Sequence, residues 1–201
     1  MKTLFVALSV LVSFNSVAQL KNNSENFTIE FLGIKIDGPI EECYQKYATK
    51  GFKLVSKEDN YYKLKGIVKN QTVELYLVGT PISKKVCKLA VYFPEQSSWY
   101  SIKSDYNDIK STITEKYGKP TDDYSFFSSP YYEGDGYEET AVKVEKCHYA
   151  AIWNEPYGPN TSGYNILVQI SKWMQVSLQY ENAKNIELKE KEDRQLDNKN
   201  F

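Results

Sequence analysis

The chain has 201 residues, with 25 basic and 26 acidic side chains, 41% hydrophobic content, 10 Gly and 7 Pro. That much apolar material with so little Gly and Pro excludes a disordered chain, and the balanced charge lacks the basic footprint of a nucleic-acid binder. The length suits one domain with its own core, or two small subdomains.

Lys2 is the only charge among the first twenty residues, Leu4 to Phe14 is nearly all apolar, and Ser16-Val17-Ala18-Gln19 follows. A positive start, a short apolar run and small residues at −3 and −1 spell a secretory signal peptide over residues 1–18, cleaved after Ala18. The run is shorter than the roughly 20 apolar residues a membrane-spanning helix needs. The expected product is a soluble protein in a periplasm or outside the cell. No cysteine follows the cleavage site to carry a lipid, the first being Cys43, and no other segment predicts membrane insertion.

Residues 19–27 are polar and read as a flexible start. Thr28–Ile36 alternates as a short strand, with Gly33 as a bulge. Asp37-Gly38-Pro39 is a turn in which Asp37 caps a helix beginning at Pro39 and stopping at Gly51. Strands follow at Phe52–Val55, Tyr61–Val68, Thr72–Val78 and Lys85–Phe93. In the third, Val73, Leu75 and Leu77 share one face while Thr72, Glu74 and Tyr76 share the other, the mark of a half-buried strand. Short connections favour an antiparallel meander. A second helix opens at Ser104 or Asp105, with Tyr106, Ile109, Ile113 and Tyr117 on one stripe and Gly118 as its stop. Residues 121–138 read as a long acidic loop. Thr140–Trp153 reads as a bulged strand, because no single face takes all its apolar residues. Two strands follow a turn at 157–163, one carrying Tyr164, Ile166, Val168 and Ile170, the other Met174, Val176, Leu178 and Tyr180. From Ala183 the chain is charged and reads as a solvated tail or a frayed helix.

The fold class is therefore α+β. Two pseudo-repeats, 28–96 and 97–182, each place a helix before antiparallel sheet, with the helices packed on one sheet face. Residues 183–201 stay outside as a charged tail.

Phe31-Leu32-Gly33-Ile34, the helix stop Lys50-Gly51-Phe52, the strand Leu64-Lys65-Gly66, and Ser98-Trp99 leading to Lys116-Tyr117-Gly118-Lys119-Pro120 look like a group of uncharacterised exported bacterial proteins. The doubled plan, over about residues 28–181, is also similar to the beta-lactamase inhibitor protein fold. That fold in turn resembles the small outer-membrane assembly lipoproteins of the SmpA/OmlA type, from which the missing lipidation cysteine is a departure. The inhibitor resemblance implies a sheet face that binds a protein partner, by analogy of fold and with no contact residue carried over.

The three cysteines, Cys43, Cys87 and Cys147, are an odd count for an exported protein. Cys43 and Cys87 both read as core-facing, which leaves open one disulfide between them or two buried thiols packed as small hydrophobes. Widely spaced cysteines and a single histidine do not make a zinc site. His148 neighbours Cys147, but adjacent strand residues face opposite ways, so the two do not form a nucleophile–base pair. Gly134-Asp135-Gly136 lacks the strand–turn–helix setting of a phosphate loop. The acids Asp122, Asp123, Glu133, Asp135, Glu138 and Glu139 suit a solvated loop, calcium, or a partner contact, without the spacing of a calcium-binding EF-hand. No cofactor is implied.

The outer sheet face carries the better candidate. Tyr76 and Tyr92 point away from the core, and Asn165, Gln169, Trp173, Gln175 and Gln179 face out in the second half. Aromatic side chains flanked by amides build protein-binding and glycan-binding surfaces; they also pack on ordinary solvated sheets. The candidate binding set is Tyr76, Tyr92, Trp173 and Gln169, with Asp135 and Glu138 from the 121–138 loop. The leading expectation is a non-enzymatic exported protein that contacts another protein. A small-molecule or glycan-binding module comes next, and a hydrolase using the loop acids last.

Overall fold

The computed structural model describes residues 28–156, 158 and 161–199, so the signal peptide at 1–18 and the flexible start at 19–27 lie outside the described residues. The first elements are two short paired strands, β1 (Glu30–Phe31) and β2 (Ile34–Lys35). Leu32 at φ 52° and Gly33 at φ 73° reverse the chain between them. The reading of one bulged strand is corrected, since two successive left-handed residues make a tight hairpin turn.

Helix α1 (Ile40–Thr49) buries Ile40, Cys43 and Tyr47, three positions of one stripe. Gly51, at φ 89°, ends it as the sequence predicts. Asp37 does not cap it. The cap position is Pro39, and Asp37 Oδ1 instead accepts the Gly38 N–H at 2.7 Å and the Asn185 side-chain amide at 2.9 Å.

Four strands follow: β3 (Lys53–Lys57), β4 (Tyr61–Val68), β5 (Gln71–Gly79) and β6 (Val86–Tyr92). Helix α2 (Trp99–Tyr117) then begins five or six residues earlier than Ser104 or Asp105, because Ser98 is its N-cap and accepts the Ser101 N–H at 3.2 Å. Its buried stripe is Ile102, Tyr106, Ile109 and Ile113. The rest of the chain forms β7 (Asp122–Phe127), α3 (Glu138–Lys143), β8 (Cys147–Glu155), β9 (Tyr164–Ser171), β10 (Gln175–Asn182) and α4 (Ala183–Lys199). Two readings change here. The 121–138 loop begins with an edge strand, and the 140–153 strand is part helix: Ala141 and Val142 are buried side by side in α3, whereas Tyr149, Ala151 and Trp153 alternate in β8. The conflict that suggested a bulge is a change of period from helix to strand.

Strands β3 to β10 form one antiparallel sheet in the order β3-β4-β5-β6-β10-β9-β8-β7. Its register carries Leu64, Leu75, Val91, Leu178, Val168 and Ala151 across on one row, and this face bears the core. The adjacent row, on the opposite face, runs Lys53, Lys65, Glu74, Tyr92, Ser177, Gln169, Ala150 and Tyr124, one residue from every strand.

The charged segment from Ala183 is no tail. Helix α4 packs against β6, β10 and β9 through buried polar side chains rather than apolar ones. Asn185 donates to the Val86 carbonyl at 2.8 Å. Glu192 accepts the N–H groups of Ile82 and Ser83 at 2.7 and 3.1 Å and the Ser83 hydroxyl at 2.5 Å. Among the described residues, no helix is long and apolar enough to cross a membrane.

Candidate functional site on the outer sheet face

Strand alternation sends Tyr61, Tyr76 and Tyr92 to the outer face, and their rings touch in sequence. The centroids of Tyr61 and Tyr76 are 5.7 Å apart, and Tyr76 meets Tyr92 edge to face at 5.3 Å. The Tyr76 hydroxyl donates to Glu74 at 2.7 Å, and Glu74 pairs with Lys63 at 2.9 Å. The charges fix each other's ionisation. Tyr76 and Lys63 together hold the Glu74 carboxyl below its ordinary value, while partial burial and then Glu74 raise the Tyr76 phenol.

Beyond Tyr92 the surface dips into a cleft of about 430 Å³ between β6, β10, β9 and β8, lined by Tyr92, Ser177, Gln169, Ser171, His148 and Trp173, among others. A second hollow of about 330 Å³ adjoins it through His148 and Gln169 and carries Tyr124 and Phe126. Trp173 is 67% exposed. It stands in the β9–β10 turn, not in a strand row, and the next residue, Met174 (φ 53°), turns back into the core. Two hydroxyls in this cleft, Ser171 Oγ and Ser177 Oγ, are buried and, among the described residues, have no hydrogen-bond partner. Ser177 went unremarked in the sequence; the register sets it between Tyr92 and Gln169 on this face, buried beneath larger neighbours.

The structure thus brings Tyr76, Tyr92, Gln169 and Trp173 together. It does not bring Asp135 and Glu138 to them. Asp135 holds its own loop, accepting the N–H groups of Tyr132 and Tyr137 at 3.0 and 2.7 Å. Glu138 is buried, accepts the Gly134 N–H at 2.7 Å, and lines a separate cleft against α2 with Trp99 and Lys103. Three of the other loop acids are similarly engaged. Glu133 takes the Lys103 ammonium and the Tyr149 hydroxyl, Glu139 accepts the Trp99 N–H at 2.8 Å, and Lys110 pairs with Asp123 at 2.6 Å. Among the described residues, no group of three or more His, Cys, Asp or Glu side chains is placed to hold a metal ion.

His148 does have a partner that sequence reasoning missed. Its Nε2 lies 2.7 Å from Ser128 Oγ, and its ring stacks on Phe126 at 4.7 Å. A serine activated for attack also needs its histidine oriented by a third group, and among the described residues no carboxylate bonds the other ring nitrogen. Burial pushes the neighbouring Cys147 thiol up to about 12, away from the thiolate that attacks. The three cysteines are free thiols, and the Cys43–Cys87 bridge is absent. Cys43 sits against the Lys35 carbonyl at 3.9 Å and Cys87 against the Val78 carbonyl at 3.4 Å, two separate places in the fold.

No family model, curated protein or solved structure matches this chain.

Proposed function

We propose that this chain is an exported, non-enzymatic binding protein that holds a protein partner on the outer face of its sheet. One observation carries the reading: the aromatic surface continues from Tyr61 on β4 through Tyr76 and Tyr92 to the exposed Trp173, and on to Phe126 and Tyr124 on β7, which are 50% and 44% exposed. A surface of that breadth exceeds one small ligand, and Tyr and Trp are the side chains that anchor protein interfaces. The sheet order supports a doubled plan, with α1 and β3–β6 as one copy and α2 and β7–β10 as the other, the last strand of each meeting at the centre. Helices α1 and α2 then bury their apolar stripes in the core, on the face opposite Tyr76 and Tyr92. Export rests on the pattern of residues 1–18.

The test is capture. Tagged protein is exposed to extracts of its own source, and retained proteins are identified. Tyr92→Ala with Trp173→Ala leaves circular dichroism and melting unchanged and removes the captured partner. Capture that survives both substitutions sinks the assignment.

A glycan on the same face is the second reading, favoured by the two unpartnered hydroxyls beside Gln169 and Trp173. It expects saturable binding to a defined saccharide with no protein present; a glycan array with no hits removes it.

A further inference from the structure

On the core side of the molecule, a separate cleft of about 380 Å³ opens between α2, the β1–β2 turn and the β4–β5 turn. Phe93, Leu178 and Tyr180 form its floor and Ile109 and Ile113 its wall. Each of these five is between 2% and 6% exposed, so whatever enters must be slender and must shed its water. The mouth is apolar as well: Leu32 and Ile67 stand there 37% and 71% exposed, a cost in water that a bound apolar group relieves.

The rim carries charge of unequal kind. Lys116 is neutralised by Glu30 at 2.8 Å. Lys69 is not; its ammonium is held by the Thr112 hydroxyl at 2.8 Å, and among the described residues no carboxylate pairs with it. The β4–β5 turn fixes Lys69 at this place, with Lys69 at φ 48° and Asn70 at φ 64°. An apolar slot with one uncompensated cation at its lip fits one chemical class.

We propose that this cleft binds a linear acyl chain ending in a carboxylate, with the chain on Phe93, Leu178 and Ile113 and the carboxylate at Lys69. A polymethylene chain is slender and carries little bound water, and one negative charge matches the rim ammonium that no carboxylate pairs with among the described residues. Glu30 disfavours a more highly charged head group. The site lies on the face opposite Tyr92 and Trp173, so it stands or falls independently of the partner reading.

The experiment is calorimetric titration of the full mature chain with straight-chain carboxylates from hexanoate to tetradecanoate, below their micelle concentrations, beside the alcohols of equal length. Affinity rises about fourfold per added methylene, the transfer free energy of one CH₂, until the cleft is full, and then levels off. Carboxylates bind more tightly than their alcohols. Lys69→Asn keeps a residue that tolerates the left-handed turn; it erases the preference for carboxylate over alcohol and leaves the chain-length slope. Thr112→Trp, at an exposed helix position on the rim, closes the slot and abolishes binding with circular dichroism and melting unchanged. Absence of saturable binding, an affinity indifferent to chain length, or binding that survives Thr112→Trp overturns the proposal. So does a concentration-dependent dimer that Thr112→Trp dissolves, which assigns the cleft to a second copy of the chain.

Discussion

Tyr92 and Ser177 stand directly opposite each other on β6 and β10, the two strands that join the halves of the sheet. Both line the outer cleft, yet Ser177 is 0% exposed and its hydroxyl has no partner among the described residues. A small residue set between larger ones on a sheet sinks below the surface they form. Leaving a buried hydroxyl unsatisfied costs about 1–3 kcal/mol, and such a cost is best placed where a ligand removes it.

Ser177→Ala therefore stabilises the free protein by about 1 kcal/mol, a rise of roughly 2–4 °C in Tm for a domain of this size. Chemical denaturation and calorimetry measure it. The same substitution weakens whatever binds in the cleft. A loss of stability instead would mean that the hydroxyl is satisfied, and the cleft would lose its strongest polar argument.

How much of this was legible follows from where periodicity is unambiguous. Val73, Leu75 and Leu77 alternate without interruption, and so do Ile166, Val168 and Ile170; both runs are strands whose inner and outer faces were assigned correctly. Gly51 and Gly118 marked the two helix ends because a left-handed residue is needed there. What failed was non-local. Nothing near Glu192 announces that Ile82 and Ser83, far back in the chain, will bury it, so a charged, packed helix read as a solvated tail or a frayed helix. Tyr76, Tyr92 and Gln169 lie on the outer face of their strands, whereas Trp173, read as part of a strand row, reaches the same cleft from the β9–β10 turn. Asp135 and Glu138 do not join them, because loop acids spend their lone pairs on their own backbone. Ser128 and His148 meet only because β7 pairs with β8, a contact no spacing rule provides.

Glu192 supplies a pH-dependent prediction. Burial alone would raise its carboxyl, but donors from the Ser83 side chain and the Ile82 and Ser83 backbone outweigh burial and hold it below its ordinary value of 4.5. A depressed folded value means the contribution is complete above 4.5 and is lost as pH falls through the folded value. Glu192→Gln costs about 1.5–3 kcal/mol at neutral pH, the worth of hydrogen bonds to a charged group. That cost shrinks in acid, where the wild-type carboxyl is itself protonated. Hydrogen exchange shows the loss first in α4 and the Thr80–Lys85 connection. A pH-independent cost would mean the carboxylate is not the anchor.

Gly66 tests the packing of β4 against α1's exit. A Cβ placed on it would lie 2.5 Å from the Phe52 ring, which is 3% exposed and itself meets Tyr47 edge to face at 5.6 Å. Gly66→Ala destabilises by about 1–3 kcal/mol through overpacking. Phe52→Leu in the same chain recovers part of the loss, because the ring no longer occupies the site. A double-mutant cycle reads the coupling, and additive effects would show that the ring is free to move aside.

The thiols give the last prediction. Burial pushes Cys43 and Cys147 up to about 12 and Cys87 up to about 11, so at neutral pH almost no thiolate is present to react. In the proposed exported setting, where free cysteines are prone to pair, burial is what keeps them apart. Folded protein prepared without reductant reacts slowly with a thiol-specific reagent, and all three cysteines react once it is denatured. The slow rate climbs with pH about tenfold per unit while the fold survives, because reactivity follows the thiolate fraction. A single reactive thiol after denaturation would place a disulfide where the structure has none. A fast thiol in the folded state would mean that one of the three sites opens to solvent, with Cys147, at the outer cleft, the first to examine.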